Sequence, residues 1–269
     1  MFLTAVDDKY LDEAQYLIKS CARHAPAFRF HLFLVNSTDE RVAPLRQIHP
    51  NLEVRHVTWE RDASRWRGIM CCARSIPIAE LIAKSTEPVI YLDSDIIMRK
   101  SPAGLLKELD QHDLLIRLRP NMTQIGPVGT PHAAKFNSGV IAIRPNPTTI
   151  AFAEEYNNTM RAWIDAGKPI IEWREEDKTD AYIDQEFLYL AYEKFKDRLN
   201  FKPLPDEYND AKFHAGSTLW HGKGRARRHP AYRVAKMELD SRGKALLLAG
   251  ALSPLSLAYK VVRAVKATR

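Results

Sequence analysis

The sequence predicts an α/β fold in which a mostly parallel central sheet is flanked by helices and followed by a basic helical tail. Two observations carry that expectation. Short apolar runs alternate with amphipathic segments of helical period through most of the chain. The run Pro88-Val89-Ile90-Tyr91-Leu92 stays apolar and then meets Asp93-Ser94-Asp95, the pattern of a strand covered on both faces that reaches a polar site at its carboxyl end. With 269 residues, 45% of them hydrophobic, the chain can bury a full core. One domain is expected over residues 1–240, with residues 241–269 as a basic amphipathic tail.

Met1 to Val6 reads as the first strand, and Tyr10 to Arg23 as a helix with Leu11, Ala14, Leu17, Ile18 and Cys21 on one face. Phe28 to Val35 alternates Phe28, Phe30, Leu32 and Leu34, the period of a strand. A helix from Asp39 to Ile48 follows, weakened by Pro44. Leu52 to Val57 is a short strand with Leu52, Val54 and His56 on one face. Trp66 to Lys84 is mainly helical, with an interruption or kink at Pro77. The strand that ends in the acids comes next. It is followed by a short helix at Pro102 to Leu109, strands at Asp113 to Leu118 and Val140 to Arg144, and helices at Thr148 to Ala166 and Asp184 to Phe195.

In extended backbone, residues i and i+2 project to one side, so Asp93 and Asp95 are expected to present their carboxylates together. Two such groups at the mouth of a buried strand repel each other. A hard divalent cation that also takes phosphate oxygens resolves the conflict; two solvated acids at a polar strand end are the alternative. No Gly-x-Gly-x-x-Gly follows the first strand, and neither a Walker A loop nor a Gly-x-Ser-x-Gly elbow occurs. These absences argue against a Rossmann dehydrogenase, a P-loop enzyme and an α/β-hydrolase. The three cysteines, Cys21, Cys71 and Cys72, lack a metal-ligand spacing, and neighbours rarely bridge each other, so free thiols in a reducing compartment are expected. The chain reaches Asp7 and Asp8 too early for a secretory signal, so a cytoplasmic location is expected.

Five segments, in order, carry a family resemblance: Thr4-Ala5-Val6-Asp7-Asp8-Lys9-Tyr10, Tyr91-Leu92-Asp93-Ser94-Asp95-Ile96, Phe136-Asn137-Ser138-Gly139-Val140, Asp184-Gln185-Glu186 and His221-Gly222-Lys223-Gly224-Arg225-Ala226-Arg227. Together they span roughly residues 1 to 230. With them the chain resembles the GT-A fold glycosyltransferases, nearest the retaining family 8 group of the nucleotide-diphospho-sugar transferase superfamily. It departs from the family's late His-x-x-Gly-x-x-Lys at the last position, where Arg227 replaces lysine.

The resemblance implies a single GT-A domain that moves a sugar from a nucleoside-diphosphate donor, UDP in most of the family, to a glycan or lipid-linked acceptor with retention. It implies that Asp93 and Asp95 hold Mn2+ or Mg2+ against the diphosphate, with Ser94 beside the donor and His221 as third ligand. Gly224 would let the backbone approach the diphosphate, and Lys223, Arg225 or Arg227 would bind it; a basic loop in water is the alternative. Asp7, Asp8 and Tyr10 resemble the nucleoside-holding positions, although Asp8 also reads as a helix cap. Arg67 and Arg74 share a helix face before the metal strand, and Arg74 is the candidate phosphate clamp. Asn137, Ser138 and Gly139 resemble positions near the donor sugar, read here as a turn before the buried strand. Asp184 and Gln185 resemble the pair that faces the transferred sugar, with helix capping as the other role open to Asp184. No strong catalytic base stands out, which fits a retaining mechanism in which the leaving phosphate helps deprotonate the acceptor.

After His221 the chain is strongly basic, and Lys260, Arg263, Lys266 and Arg269 recur every three residues. Such a segment suits an anionic membrane surface, or a helix docked on the domain. The uncharged stretch Ala245 to Tyr259 is too short to span a bilayer. The net charge of +7 comes with no nucleic-acid-binding motif. Two rival functions stand beside glycosyl transfer: a haloacid-dehalogenase-type phosphatase with Asp93 as nucleophile, and a non-catalytic nucleotide-sugar-binding protein.

Overall fold

The computed structural model describes residues 1–59, 66–118, 136–166 and 183–240; the expected tail at 241–269 lies outside the described residues. A seven-stranded sheet runs in the order β3-β2-β1-β4-β7-β6-β8, built from β1 (Phe2–Asp7), β2 (Phe30–Val35), β3 (Leu52–Val57), β4 (Val89–Leu92), β6 (Leu114–Leu118), β7 (Phe136–Ile143) and β8 (Phe201–Pro203). The pairs β1–β2, β2–β3, β1–β4 and β6–β8 are parallel, and β7 alone runs against its neighbours β4 and β6. The expected class, a mostly parallel helix-flanked sheet, is the one observed. Beside it, β5 (Ile96–Met98) pairs antiparallel with β9 (Leu219–His221) as a separate ribbon.

The alternation of side chains along the strands divides the interior into two cores. Leu3, Val89, Tyr91, Ile141 and Ile143 face the side covered by α4 (Ser75–Lys84), α6 (Pro147–Asp165) and α7 (Ile183–Phe195). Phe2, Val6, Ile90, Leu92, Val140 and Ala142 face α1 (Leu11–His24), α2 (Asp39–Arg46) and α5 (Ala103–Leu109). A third cluster seats the β5–β9 ribbon: Ile97 and Trp220 pack with Phe213, Ala231, Tyr232 and Ala235, the last three on α8 (Pro230–Leu239).

Three local expectations change. The segment expected as one helix from Trp66 to Lys84 is two, α3 (Trp66–Cys72) and α4, and the break falls at Arg74 rather than at Pro77. Pro77 is accommodated because it lies in the first turn of α4, where a backbone N–H would have no intrahelical acceptor. The acid pair, read in extended backbone, sits instead in a turn between two strands: the chain turns after Leu92, with Ile96 N–H donating to Asp93 O at 3.0 Å. Asn137, Ser138 and Gly139 lie inside β7, not in a turn before it. Because β7 is reversed, its first residues stand beside the carboxyl end of β4: Leu92 pairs with Val140, and Asp93 N–H donates to Gly139 O at 2.8 Å.

Ile141 is buried at the centre of β7, flanked by β4 and β6. Ile141→Ala is expected to destabilise the fold by about 2–5 kcal/mol through lost burial and a residual cavity, measured as a lower urea midpoint with an unchanged slope.

Candidate active site

The Asp93-Ser94-Asp95 turn, the start of β7, the start of α7 and the β9 loop meet at the carboxyl end of β4. Asp93 and Asp95 converge through a tight turn, not through extended strand, and Ser94 sits half-buried in the middle of it. One ligand atom from each of Asp93, Asp95 and His221 lies within 4.8 Å of the others. His221 Nε2 is 3.2 Å from Asp95 Oδ1 and 3.5 Å from Asp93 Oδ2. His221 reaches this position because it is the last residue of β9, opposite Ile96 in the ribbon. Two carboxylates and an imidazole fit a divalent ion such as Mn2+ or Mg2+.

The pocket is also charge-balanced by two arginines. Arg74, 8% exposed, places Nη1 3.0 Å from Asp93 Oδ1 and 3.5 Å from Asp184 Oδ2. The same nitrogen donates to Ser138 O at 2.9 Å and Oγ at 2.8 Å, and the guanidinium lies over the Tyr91 ring at 4.8 Å. Burial works against its charge, but Asp93 and Asp184 more than compensate and keep it firmly protonated. Arg227 serves Asp95: Nε and Nη2 donate to Oδ2 at 3.1 and 2.7 Å, and Nε also donates to Gly222 O at 3.1 Å. Burial raises the Asp95 pKa, yet His221 and Arg227 outweigh it and hold the carboxyl well below the usual carboxylate range.

Asp184 is fully buried at the start of α7, where its Oδ2 accepts from Ser138 Oγ at 2.6 Å and its Oδ1 has no partner among the described residues. Burial raises its pKa despite Arg74 and Ser138. An orphaned buried carboxylate oxygen beside a polar pocket marks a place for an incoming donor group. Gln185 is buried next to it, and Glu186 follows, its carboxyl pushed up to about 7 by burial. Asn137 Oδ1 accepts from Gly139 N–H at 3.0 Å and from Asn209 Nδ2 at 3.0 Å. At Gly139 a Cβ would overlap the His221 ring, so the glycine makes room for the imidazole.

The first loop is a framework in its own right. Asp7 accepts from Lys9 N–H at 3.1 Å, from Tyr10 N–H at 3.3 Å and from the Trp66 indole at 2.7 Å. Asp8 is exposed, accepts from Ser37 Oγ and pairs with Arg41 at 3.4 Å, and the α1 cap position is Tyr10, without a side-chain cap bond. The Tyr10 ring carries the Arg227 guanidinium at 5.6 Å. Lys223 is half-buried and its charge lowers the Asp184 pKa, while Arg225 is exposed. Gly224 is at φ 56°, the left-handed backbone that only glycine adopts without strain. Arg67 lies on α3.

Asn209 and Trp66 were not marked as site residues by the sequence pattern, and Tyr91 entered only as part of the strand that leads to the acids. Tyr91 donates its hydroxyl to Asp93 Oδ1 at 3.0 Å. Asn209 and Trp66 bond side chains 12 and 59 residues away in sequence, contacts that leave no local signature.

The family profile for nucleotide-diphospho-sugar transferases matches residues 51–232, well over half of the chain. The chain belongs to this family. Solved structures agree on the fold of this transferase-family chain. The apo form of the glycosyltransferase GlyE from Streptococcus pneumoniae TIGR4 aligns with a TM-score of 0.57 at 16% identity over 94% of this chain and 63% of GlyE. A second GlyE structure aligns at 0.52 and 18% identity, and this chain spans 55% of its length. The galactosyltransferase LgtC, in complex with donor and acceptor sugar analogues, aligns at 0.54 and 19% identity, over 89% of this chain and 96% of LgtC. No curated protein sequence matches the chain. Among the described residues, no helix is long and apolar enough to cross a membrane.

Replacing Gly139 with alanine is expected to push the His221 ring from its seat, costing about 1–3 kcal/mol as overpacking and weakening binding of Mn2+ in calorimetric titration. Glu186 gives a pH signature. Its carboxyl releases its proton near 4.5 in the unfolded chain and near 7 when folded, so between those values the folded state holds the extra proton and stability falls as pH rises. Glu186→Gln removes that dependence. Its melting temperature relative to wild type should climb from about pH 4.5 to about pH 7 and level off above.

Proposed function

We propose that this chain is a metal-dependent glycosyltransferase that takes a sugar from a nucleoside-diphosphate donor, with UDP as the nucleotide, and passes it with retention to a glycan or lipid-linked acceptor. The observation that carries the reading is the convergence of Asp93, Asp95 and His221, within 4.8 Å of one another, in a member of the nucleotide-diphospho-sugar transferase family. Mn2+ or Mg2+ bound there would offset the charge that grows on the departing diphosphate.

The chain's own residues have separable tasks in this reading. Asp93, Asp95 and His221 present the ligand atoms, and Arg74 fixes the orientation of Asp93 by its ion pair. Asp184, with Oδ1 unpartnered among the described residues, and the adjacent Gln185 receive the transferred sugar. Asn137 and Ser138 line the donor side of the pocket. Lys223 and Arg227 approach the diphosphate from the late loop, with Gly224 giving the backbone its turn. Asp7, Asp8 and Tyr10 bound the nucleoside side. The basic tail at 241–269 would bring the enzyme to an anionic membrane surface on the cytoplasmic face.

The phosphatase alternative requires an attacking carboxylate at Asp93. Its Oδ1 accepts from Tyr91 Oη and faces Arg74 at 3.0 Å each, contacts that lower the nucleophilicity of that oxygen. A non-catalytic binding protein is separated from an enzyme by turnover.

UDP with Mn2+ is expected to raise the melting temperature, since a ligand that binds only the folded state stabilises it by mass action. A panel of UDP-sugars with Mn2+ should identify one that is slowly hydrolysed or transferred. Asp95→Ala should abolish both the metal-dependent shift and turnover. Nucleotide-sugar binding without any turnover would support the binding protein, and hydrolysis of simple phosphate esters without nucleotide affinity would overturn the reading.

A further inference from the structure

We infer that Asn209 is a positioning residue for His221: it holds the imidazole as the Nδ1–H form, with Nε2 turned toward Asp93 and Asp95. The inference deepens the proposed metal site and rests on that reading for its consequence, although the proton assignment itself does not.

The assignment starts from a backbone amide, the one group in the chain of bonds whose proton is fixed by covalent geometry. Gly139 N–H donates to Asn137 at 3.0 Å, so the atom it meets is the amide oxygen, Oδ1. That oxygen also meets Asn209 at 3.0 Å, which must therefore present its NH2 group. With its nitrogen committed, Asn209 has only its oxygen to offer at the other end, and that oxygen lies 2.7 Å from His221 Nδ1. An amide oxygen accepts and never donates, so Nδ1 carries the proton. Flipping either amide would set two donors or two acceptors against each other within this chain of bonds. The proton on Nδ1 leaves Nε2, 3.2 Å from Asp95 Oδ1 and 3.5 Å from Asp93 Oδ2, as the ring atom that faces the shared site, where it can donate to a carboxylate when protonated and exchange that proton for a cation.

The position of Asn209 is itself over-determined. The residue is fully buried, its N–H donates to Asp206 O at 3.1 Å and its carbonyl accepts from Arg117 Nη1. The following residue locks this segment to the strand of His221: Asp210 N–H donates to Leu219 O at 3.1 Å, and His221 N–H donates to Asp210 O at 2.8 Å. The Asp210 carboxylate in turn accepts from Lys212 N–H, His214 N–H and Ser217 Oγ at 2.6–2.7 Å, which fixes the loop between the two. Both partners of the Nδ1 bond are thus held by backbone before any ligand arrives, and a partner that fixes the free nitrogen of a metal-binding histidine sets both its tautomer and its orientation.

The test reads the proton directly. In long-range 1H–15N spectra of the metal-free protein, His221 Nδ1 should keep the resonance of a protonated nitrogen from about pH 6 to about pH 9, a range that brackets ordinary imidazole titration. In Asn209→Leu, of similar shape but unable to accept, Nδ1 should move toward the unprotonated position at the top of that range. Asn209→Asp, which keeps an acceptor, should restore the wild-type Nδ1 resonance. By calorimetry with UDP present, Asn209→Leu should bind Mn2+ about 10–100-fold more weakly than wild type. A wild-type Nδ1 that is unprotonated at high pH overturns the inference, and this spectrum decides even if Asn209→Leu does not fold. Wild-type Mn2+ affinity in a folded Asn209→Leu overturns the positioning role. Absence of Mn2+ binding by a wild-type protein that shows the Nδ1–H signature sinks the metal site and leaves the proton assignment standing.

Discussion

The constraint on which the site depends is the crowding of negative charge at the end of one buried strand. Asp93, Asp95 and Asp184 all point into the same pocket, and the last two are almost wholly removed from solvent. Buried carboxylates persist as anions only where opposite charge and hydrogen bonds replace the lost water. Arg74 supplies that replacement between Asp93 and Asp184, and Arg227 supplies it at Asp95. The division is uneven. Asp95, with an imidazole on one oxygen and a guanidinium on the other, is held strongly ionised, whereas burial prevails over the more distant Arg74 contact at Asp184 and raises its pKa. One pocket therefore contains one carboxyl held well below the usual carboxylate range and another shifted above it.

The fold meets this electrostatic demand with two separate devices. The main sheet sets Asp93 beside Ser138 and Gly139 because β7 runs backwards, so its beginning adjoins the end of β4. The second device is the β5–β9 ribbon, which leaves the main sheet immediately after the acids and brings His221 opposite Ile96. The ribbon is only three residues deep and needs external support. It receives that support from α8, whose Tyr232 packs in the cluster with Ile97 and Trp220 and donates its hydroxyl to Asp95 O at 2.8 Å. Gly222 makes the fit possible, since a Cβ there would run into the Tyr232 ring. The apolar packing of the ribbon and the geometry of the site are thus the same set of contacts.

Much of this was legible in the sequence, and the exceptions have physical causes. The helices and longer strands show in their periodicity, because each buries one face of a long element. The acid pair was visible because charge at the end of an apolar run is locally anomalous. The turn inside Asp93-Ser94-Asp95 was not, since neither glycine nor proline marks it and apolar residues continue on its far side through Met98. The strands β8 and β9 are three residues long, too short for any period to register. The reversal of β7 depends on how its ends connect in space, which residue alternation along one strand does not encode. The position of Asn137 to Gly139 followed the reversal, so a segment that reads as a turn is part of a fully buried strand. Asn209 was silent for a further reason: its contribution is a bond to a side chain brought near only by tertiary structure.

The exchange at Arg227 shows how one departure from a family pattern can alter the balance of a site. A lysine offers one compact ammonium, strongly hydrated and free to pivot. Arg227 offers two nitrogens to Asp95 Oδ2, a bond from Nε to Gly222 O and a flat face to Tyr10. Those contacts tie three segments together: the first loop through Tyr10, the acid turn through Asp95, and the late loop through Gly222. A phosphate that engages this guanidinium has to share it with Asp95 or replace the carboxylate, and a cation at Asp95 relieves the same carboxylate of its need for Arg227. Positive charge brought by a metal and negative charge brought by a diphosphate would therefore reinforce each other through one arginine, because each supplies the partner that the other displaces.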